Sequence, residues 1–206
     1  MGKFVLAITR TCGSGGTTIG SMLAKEYQIG LYDRQLMSLA SEDSGISEAL
    51  FASADESVKN TLLYRVSRKV YNGELIPPES GNFTSDNNLF NYQAKILKEM
   101  ARTDSYVVIG RAADFILQDN PNMISIFLHA DQEISVRHIM EEKNVTEKQA
   151  EKYRKKMDRY RSQYYKYHTG KVWRCPDNYD LCLDTGKLGY EDCVRLIMEY
   201  VAMRIK

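Results

Sequence analysis

No apolar run in this 206-residue chain approaches the roughly 20 residues needed to cross a bilayer, so no helical membrane span is expected. The opening M-G-K-F-V-L-A-I-T-R turns polar too soon for a signal peptide. Gly2 with Lys3 to Leu6 lacks the serine or threonine of a myristoylation signal. Four cysteines, Cys12, Cys175, Cys182 and Cys193, form no C-x-x-C pair. That excludes the common metal and disulfide spacings and predicts reduced thiols in a cytoplasmic protein. The three histidines are not spaced as ligands, and no nucleophile–base set is visible. Repeats and low-complexity tracts are also missing. One further absence matters more, and it concerns a single lysine.

From Phe4 to Gly20 the chain reads F-V-L-A-I-T-R-T-C-G-S-G-G-T-T-I-G. An apolar, β-branched run breaks at Gly13-Ser14-Gly15-Gly16 and passes straight into a helical pattern. Strand, Gly-rich turn and helix N-terminus together hold phosphate, because the backbone N–H groups converge and the helix end adds partial positive charge. A plain βα turn, with glycines for close packing, is the other reading of the same residues. In G-x-x-x-x-G-K-[ST] a lysine follows the last glycine. Here Gly16 holds that place, Thr17 follows, and Arg10 stands where the first glycine would be.

The net charge of +1 hides an asymmetry. Between Lys143 and Arg174 there are 11 Lys+Arg against 3 Asp+Glu, a local charge of +8. Such a block suits a lid over nucleotide phosphates, a nucleic-acid patch, or a solvated helix face. Tyr153, Met157, Tyr160, Tyr164 and Tyr167 form one face of its helix and are expected to pack on the domain. Arg154 and Arg161 neighbour Asp158, which is expected to pair with both.

Apolar runs at 3–8, 30–32, 106–109, 123–128 and 181–183 alternate with helical patterns. Helices are expected from Thr17 to about Tyr27, over 34–40, 47–71, from about 89 to Met100, over 132–142, from 146 to about 167, and over 190–205. Asp33 and Asp131 are placed to cap two of them, and Thr146 with Gln149 makes a capping box. Gly73 to Asn88, with Pro77-Pro78, reads as a loop. This order predicts a parallel α/β sheet covered on both faces. Ligands then sit beyond the carboxyl ends of the strands. Those ends deliver Arg10 and Gly13 to Thr18, Asp33 with Arg34, Arg111 with Asp114 one turn on, His129 with Asp131, and Asp184 with Thr185. Three strand-end arginines around a Gly-rich turn suit a phosphorylated ligand, since the guanidinium fork matches phosphate oxygens.

The blocks G-S-G-G-x-x-I-G, L-Y-D-R, V-V-I-G-R-A-A-D, Y-Y-K-Y-H-T-G-K-V-W and Y-D-L-C-L-D-T occur in this order along nearly the whole chain. Together they resemble the bacterial cytidylate kinase-like proteins, relatives of cytidylate kinase among the P-loop nucleoside monophosphate kinases. The resemblance implies a P-loop NTPase-like three-layer sandwich, with a five-stranded parallel sheet, a helical monophosphate-side insert and a basic lid. It implies a single kinase-like domain over 1–206, with its core in 1–44, 89–142 and 175–206, its insert at 45–88 and its lid at 143–174. ATP and Mg2+ are the implied cofactors and nucleotides the implied partners. Gly13, Ser14, Gly15, Gly16, Thr17 and Thr18 would cradle the ATP phosphates, with Thr17 or Thr18 toward magnesium. Asp33, Arg34, Arg111 and Asp114 would face the acceptor. The lid would supply Lys156, Arg159 and Arg161, with Arg137 beneath it and Arg154 able to stand in. Apart from the resemblance, Arg10 at the loop's entry in the strand-end cluster is the first candidate for the catalytic cation, with Arg159 and Arg161 next.

The chain departs from the cytidylate kinase pattern at Gly16, the P-loop lysine position, and at Ile109, where an aspartate is usual. Asp114 is the nearest replacement for that carboxylate. A lysine placed at 16 is expected to raise ATP affinity or turnover if the loop has the usual backbone shape. Kinase activity on a CMP- or dCMP-like acceptor is the leading expectation. A nucleotide-binding regulator that has lost catalysis comes next. A nucleic-acid-binding module ranks below both, because it leaves the strand-end arginines unexplained.

Overall fold

The computed structural model describes residues 2–33, 35–51, 73–78, 80–82 and 84–205. Five parallel strands, β1 (Val5–Arg10), β2 (Gly30–Tyr32), β3 (Tyr106–Ile109), β4 (Met123–His129) and β5 (Leu181–Asp184), form one sheet in the order β2-β3-β1-β4-β5. Alternation along β1 divides the core. Leu6 and Ile8 join Ile19 and Leu23 of α1 (Gly16–Tyr27) with Val194 and Ile197 of the C-terminal helix on one face. Val5 and Ala7 join Tyr106, Val108 and the helix Asp86–Thr103 on the other. The result is the three-layer α/β sandwich of the P-loop fold.

The remaining described helices are α2 (Gln35–Ser44), α3 (Asp86–Thr103), α4 (Ala113–Ile116), α5 (Gln132–Lys143), α6 (Glu147–Thr169), α7 (Thr185–Leu188) and α8 (Tyr190–Arg204). Most boundaries fall within one to three residues of expectation, and two details differ. The loop after Gly73 ends at Ser85, whose hydroxyl caps α3 by accepting the Asn88 N–H. Asp131 occupies the N-cap position of α5 without a side-chain cap bond. Asp33 lies 3.9 Å from Arg10 in an ion pair; the start of the helix it was expected to cap involves Arg34, outside the described residues. The capping box is present, with Gln149 Oε1 accepting the Thr146 N–H and hydroxyl, both at 2.9 Å.

Residues 48–51 are helical, while 52–72, the bulk of the expected helix and insert, lie outside the described residues. The described part of the insert is anchored. Ile46 and Phe51 pack with Ala40, Leu89 and Tyr92, and Asn88 exchanges two hydrogen bonds with the backbone of Ile76. Among the described residues no helix is long and apolar enough to cross a membrane.

Candidate active site

β1 lies between β3 and β4, where the chain connections change side, and a crevice at such a point is the usual ligand site of an open parallel sheet. A cavity of about 420 Å3 opens there. Its floor is built from the ends of β1 (Thr9, Arg10) and β3 (Ile109, Gly110, Arg111), with Asp33 beyond β2. The tyrosine face of α6 forms its roof through Tyr153, Met157, Tyr160 and Tyr164. That face also packs on two core clusters, so it is both a packing surface and a cavity wall.

The Gly-rich turn has the conformation that phosphate binding needs. Gly13 and Gly15 adopt φ of 82 and 73°. A Cβ on Gly13 would overlap the Ser135 backbone, and one on Gly15 the Tyr190 ring, so close packing and positive φ both demand glycine. The carbonyls of the turn are tied down from within. His138 Nδ1 donates to the Gly13 carbonyl at 2.9 Å, and the Thr185 hydroxyl donates to that of Ser14 at 3.0 Å. A trans peptide sets its N–H opposite its carbonyl, so the Gly15 N–H points outward. The Gly15 carbonyl accepts the Ile19 N–H along α1 at 2.9 Å, so the Gly16 N–H points out of the helix end. Outward N–H groups at a helix start suit an anion; of Gly13 to Thr18, Thr17 alone lines the cavity. Ser14 is different: its side chain is fully buried, and its hydroxyl donates to the Thr11 and Leu128 carbonyls. It shapes the turn from behind and is not turned toward a ligand.

Arg10 occupies the space of the missing lysine. An ideal Cβ on Gly16 would meet Arg10 Cγ at 2.6 Å and Cβ at 2.8 Å, so the arginine stem lies across the loop at that position. Its guanidinium passes over Gly110 and reaches toward Asp33. The expectation that a lysine at 16 would be accommodated is therefore corrected, since the arginine stem already fills that space.

Arg111 lies in a strained turn. Gly110, Arg111 and Ala112 have φ of 78, 59 and 51°, three left-handed residues in succession. For the two non-glycines this costs about 1–2 kcal/mol each. Such strain concentrates at functional sites, and here it directs the chain so that Arg111 lines the cavity.

The basic segment is docked on the loop. Asp158, buried on α6, accepts the Cys12 N–H at 2.7 Å. It also pairs with Arg174 at 3.0 Å and Arg154 at 3.7 Å. The expected Asp158–Arg161 pair is replaced by Arg161 donating to the Arg10 carbonyl at 3.1 Å, with Arg161 lining the cavity. Arg154 donates to Gln132 at 2.8 Å. Lys156, Arg159 and Arg137 are exposed and outside the cavity lining, because they project from other faces of their helices. Thr17 lines the cavity, whereas Thr18 is exposed on the neighbouring face of α1. Arg34 lies outside the described residues.

Asp114 does not line the cavity, which corrects its expected contact with the acceptor. It is buried, and its Oδ2 accepts the Tyr165 hydroxyl at 2.6 Å. Burial pushes its carboxyl up to about 6, against the opposing effect of the Tyr165 bond. Trp173 and Tyr165 line the cavity without having been assigned a role from sequence. Their signal was an aromatic run beside the single tryptophan of the chain, which does not say which ring faces inward. His168 follows on α6, buried and stacked on Phe90 at 4.0 Å between ring centroids, and burial pushes it down to about 3.

A sequence profile of the cytidylate kinase-like family matches residues 5–187. The chain belongs to the cytidylate kinase-like family. Among solved structures it is similar to an uncharacterized protein from Eubacterium ventriosum, with 27% identity and a TM-score of 0.72 over 98% of this chain and 100% of that one. Shikimate kinase from Bacteroides thetaiotaomicron matches at 12% identity and a TM-score of 0.53, covering 97% and 98% of the two chains. A sugar kinase from Janibacter sp. matches at 14% and 0.56, covering 98% and 95%. The likeness to these two kinases is one of fold. No curated protein matches the chain.

Proposed function

We propose that this cytidylate kinase-like protein is an ATP-dependent phosphotransferase acting on a nucleoside monophosphate of CMP or dCMP type, or on a similar small acceptor. Family membership supports phosphoryl transfer of the nucleoside monophosphate kinase type. The observation that carries the reading is Arg10, whose stem crosses Gly16 while its guanidinium reaches over Gly110 into the cavity that Arg111 and Arg161 also line. Phosphoryl transfer depends on positioning and charge neutralisation more than on covalent help. Three convergent guanidinium groups suit that task.

In this reading the N–H groups of Gly15, Gly16 and Thr17 receive the ATP phosphates. Arg10 neutralises the transferring group, with Arg161 beside it. Arg111, Asp33 and Arg34 hold the acceptor, whose phosphate oxygen attacks the terminal phosphorus as ADP leaves. The lid is 143–174, and its Arg154, Lys156 and Arg159 would reach the phosphates only after α6 moves, with Arg137 of α5 beneath it.

Magnesium fits as a largely water- and phosphate-ligated ion, since Thr17 and Asp33 both line the cavity. Among the described residues no cluster of three carboxylates, histidines or cysteines would cage it. Bound there, it would supply further neutralisation of phosphate charge.

A thermal-shift screen with ATP, CMP, other nucleotides and a short oligonucleotide, paired with an ADP-release assay, tests the reading. Stabilisation by ATP and CMP with CMP-dependent ADP release is expected. Nucleotide stabilisation without transfer would leave a regulatory nucleotide-binding protein. Stabilisation by the oligonucleotide alone would point to nucleic acid.

A further inference from the structure

The left-handed run Gly110-Arg111-Ala112 can persist only where its surroundings over-determine it. Backbone bonds provide part of the hold. The Gly110 N–H donates to the Ile8 carbonyl at 2.9 Å, and the Ala113 N–H to the Gly110 carbonyl at 3.1 Å. Burial of Ala112 and Ala113 adds to it. Both effects fix the turn against the sheet, but neither relates it to the roof of the cavity.

That relation comes from Asp114, three residues beyond Arg111. Its carboxylate accepts the hydroxyl of Tyr165 on α6 at 2.6 Å, and both residues are buried. The Tyr165 ring lines the same cavity as Arg111, while its hydroxyl donates to Asp114 with Tyr179 beside it. α6 in turn holds the phosphate loop through Asp158 and the Cys12 N–H.

We infer that Asp114 is a positioning residue: through Tyr165 it clasps the strained Arg111 turn to α6 and so fixes Arg111 for an anionic acceptor. The inference rests on the acceptor role proposed for Arg111. It gives the buried carboxylate a task other than ligand contact, and it joins the acceptor arginine, the roof helix and the phosphate loop in one hydrogen-bonded unit. A displacement of α6 is then felt at both ends of the cavity.

Three variants isolate the clasp. Tyr165→Phe keeps the ring and removes only the hydroxyl. Asp114→Ala removes the acceptor, and Asp114→Asn keeps an oxygen that can still receive the hydroxyl. Amide hydrogen exchange without ligand is read at 110–114. Dissociation constants for CMP and for a non-hydrolysable ATP analogue are read by calorimetry.

In Tyr165→Phe and Asp114→Ala, exchange at 110–114 and the CMP dissociation constant should each rise about tenfold or more, the effect of losing a charge-assisted bond. The ATP analogue should stay within about threefold in every variant, and Asp114→Asn, which keeps a neutral acceptor for the hydroxyl, should fall between wild type and Asp114→Ala in exchange and in CMP affinity. Unchanged exchange at 110–114 in a folded Tyr165→Phe protein overturns the clasp whatever the ligands do. Equal weakening of CMP and the ATP analogue overturns it too, because that is general loosening. If exchange rises as expected but wild type binds no CMP, the clasp stands and the acceptor reading of the cavity falls.

Discussion

Arg10 and Gly16 can be tested as a pair, because the structure makes their effects interdependent. Arg10→Ala deletes the cation whose stem crosses the loop at the lysine position and whose guanidinium reaches over Gly110 toward Asp33. Loss of one preorganised electrostatic donor costs about 10²- to 10³-fold in kcat, or roughly 2.7–4 kcal/mol of barrier. The KM for ATP should change less, since the contact is made mainly in the transition state. Gly16→Lys alone should not help. Its Cβ would sit 2.6 Å from Arg10 Cγ and 2.8 Å from Cβ, well inside the ~3.5–4.0 Å of favourable carbon contact. Loop or arginine must therefore shift, and turnover should fall. In the double variant Arg10→Gly/Gly16→Lys both overlapping atoms, Cβ and Cγ, are gone and a cation returns, so kcat should recover about tenfold over Arg10→Gly. Such non-additivity is what contact between two positions produces. The assay is CMP-dependent ADP release, with melting temperatures confirming that each variant folds. The reasoning is refuted if Gly16→Lys raises turnover while Arg10 is intact, or if Arg10→Ala keeps wild-type kcat.

Arg111→Ala should weaken CMP binding about 10- to 100-fold, the worth of a charge-assisted contact, and leave ATP nearly unchanged; calorimetry with each ligand decides, and equal losses would remove the assignment. His168, pushed down to about 3 by burial, stays neutral in the fold while its unfolded form protonates below about pH 6.5. The fold therefore loses about 1.4 kcal/mol per pH unit from this group between about pH 6.5 and 3. Replacing it with phenylalanine, which can keep the stack on Phe90, should abolish that slope in urea titrations, and parallel curves for the two proteins would contradict it. Nucleotide should slow amide exchange in the first half of α6, where Lys152, Lys155 and Lys156 are exposed. It should slow the half from Asp158 onward less, because Asp158, Tyr165 and His168 are already buried; uniform exchange with and without ligand would make the segment a static wall.

The five strands were legible because each is a short apolar run ended by a polar or glycine turn, so their limits follow from local pattern. The order β2-β3-β1-β4-β5 was not, since pairing of distant segments leaves no local trace beyond the α/β alternation. The Gly-rich turn between strand and helix was legible, and the structure adds what its sequence does not show, carbonyls tied inward by His138 and Thr185. Arg10 ends β1 and Arg111 follows β3 by two residues, so their place at the carboxyl edge of the sheet was legible, while the left-handed turn that directs Arg111 was not. The basic helix shows the limit of such reasoning. Helical spacing says which residues neighbour one another on α6 and leaves open which face meets the cavity, so Arg161 lines it while Arg159 and Lys156 face outward. Asp158 was correctly paired with Arg154, but its bonds to Cys12 and Arg174 depend on chain returning from far along the sequence or beyond the helix. Asp114 has the composition of a site residue, and only the burial of Tyr165 above it shows that it turns inward.

The central claim is transfer of phosphate from ATP to a nucleoside monophosphate. Purified protein incubated with ATP, magnesium and CMP can be followed directly by phosphorus NMR, with dCMP, UMP, AMP and GMP in parallel. The account predicts that ADP and one nucleoside diphosphate, CDP or its deoxy counterpart first, accumulate in equal amounts, and that Arg10→Ala suppresses both. Bound nucleotide with no diphosphate formed from any of these acceptors, or ADP and inorganic phosphate alone, would contradict it.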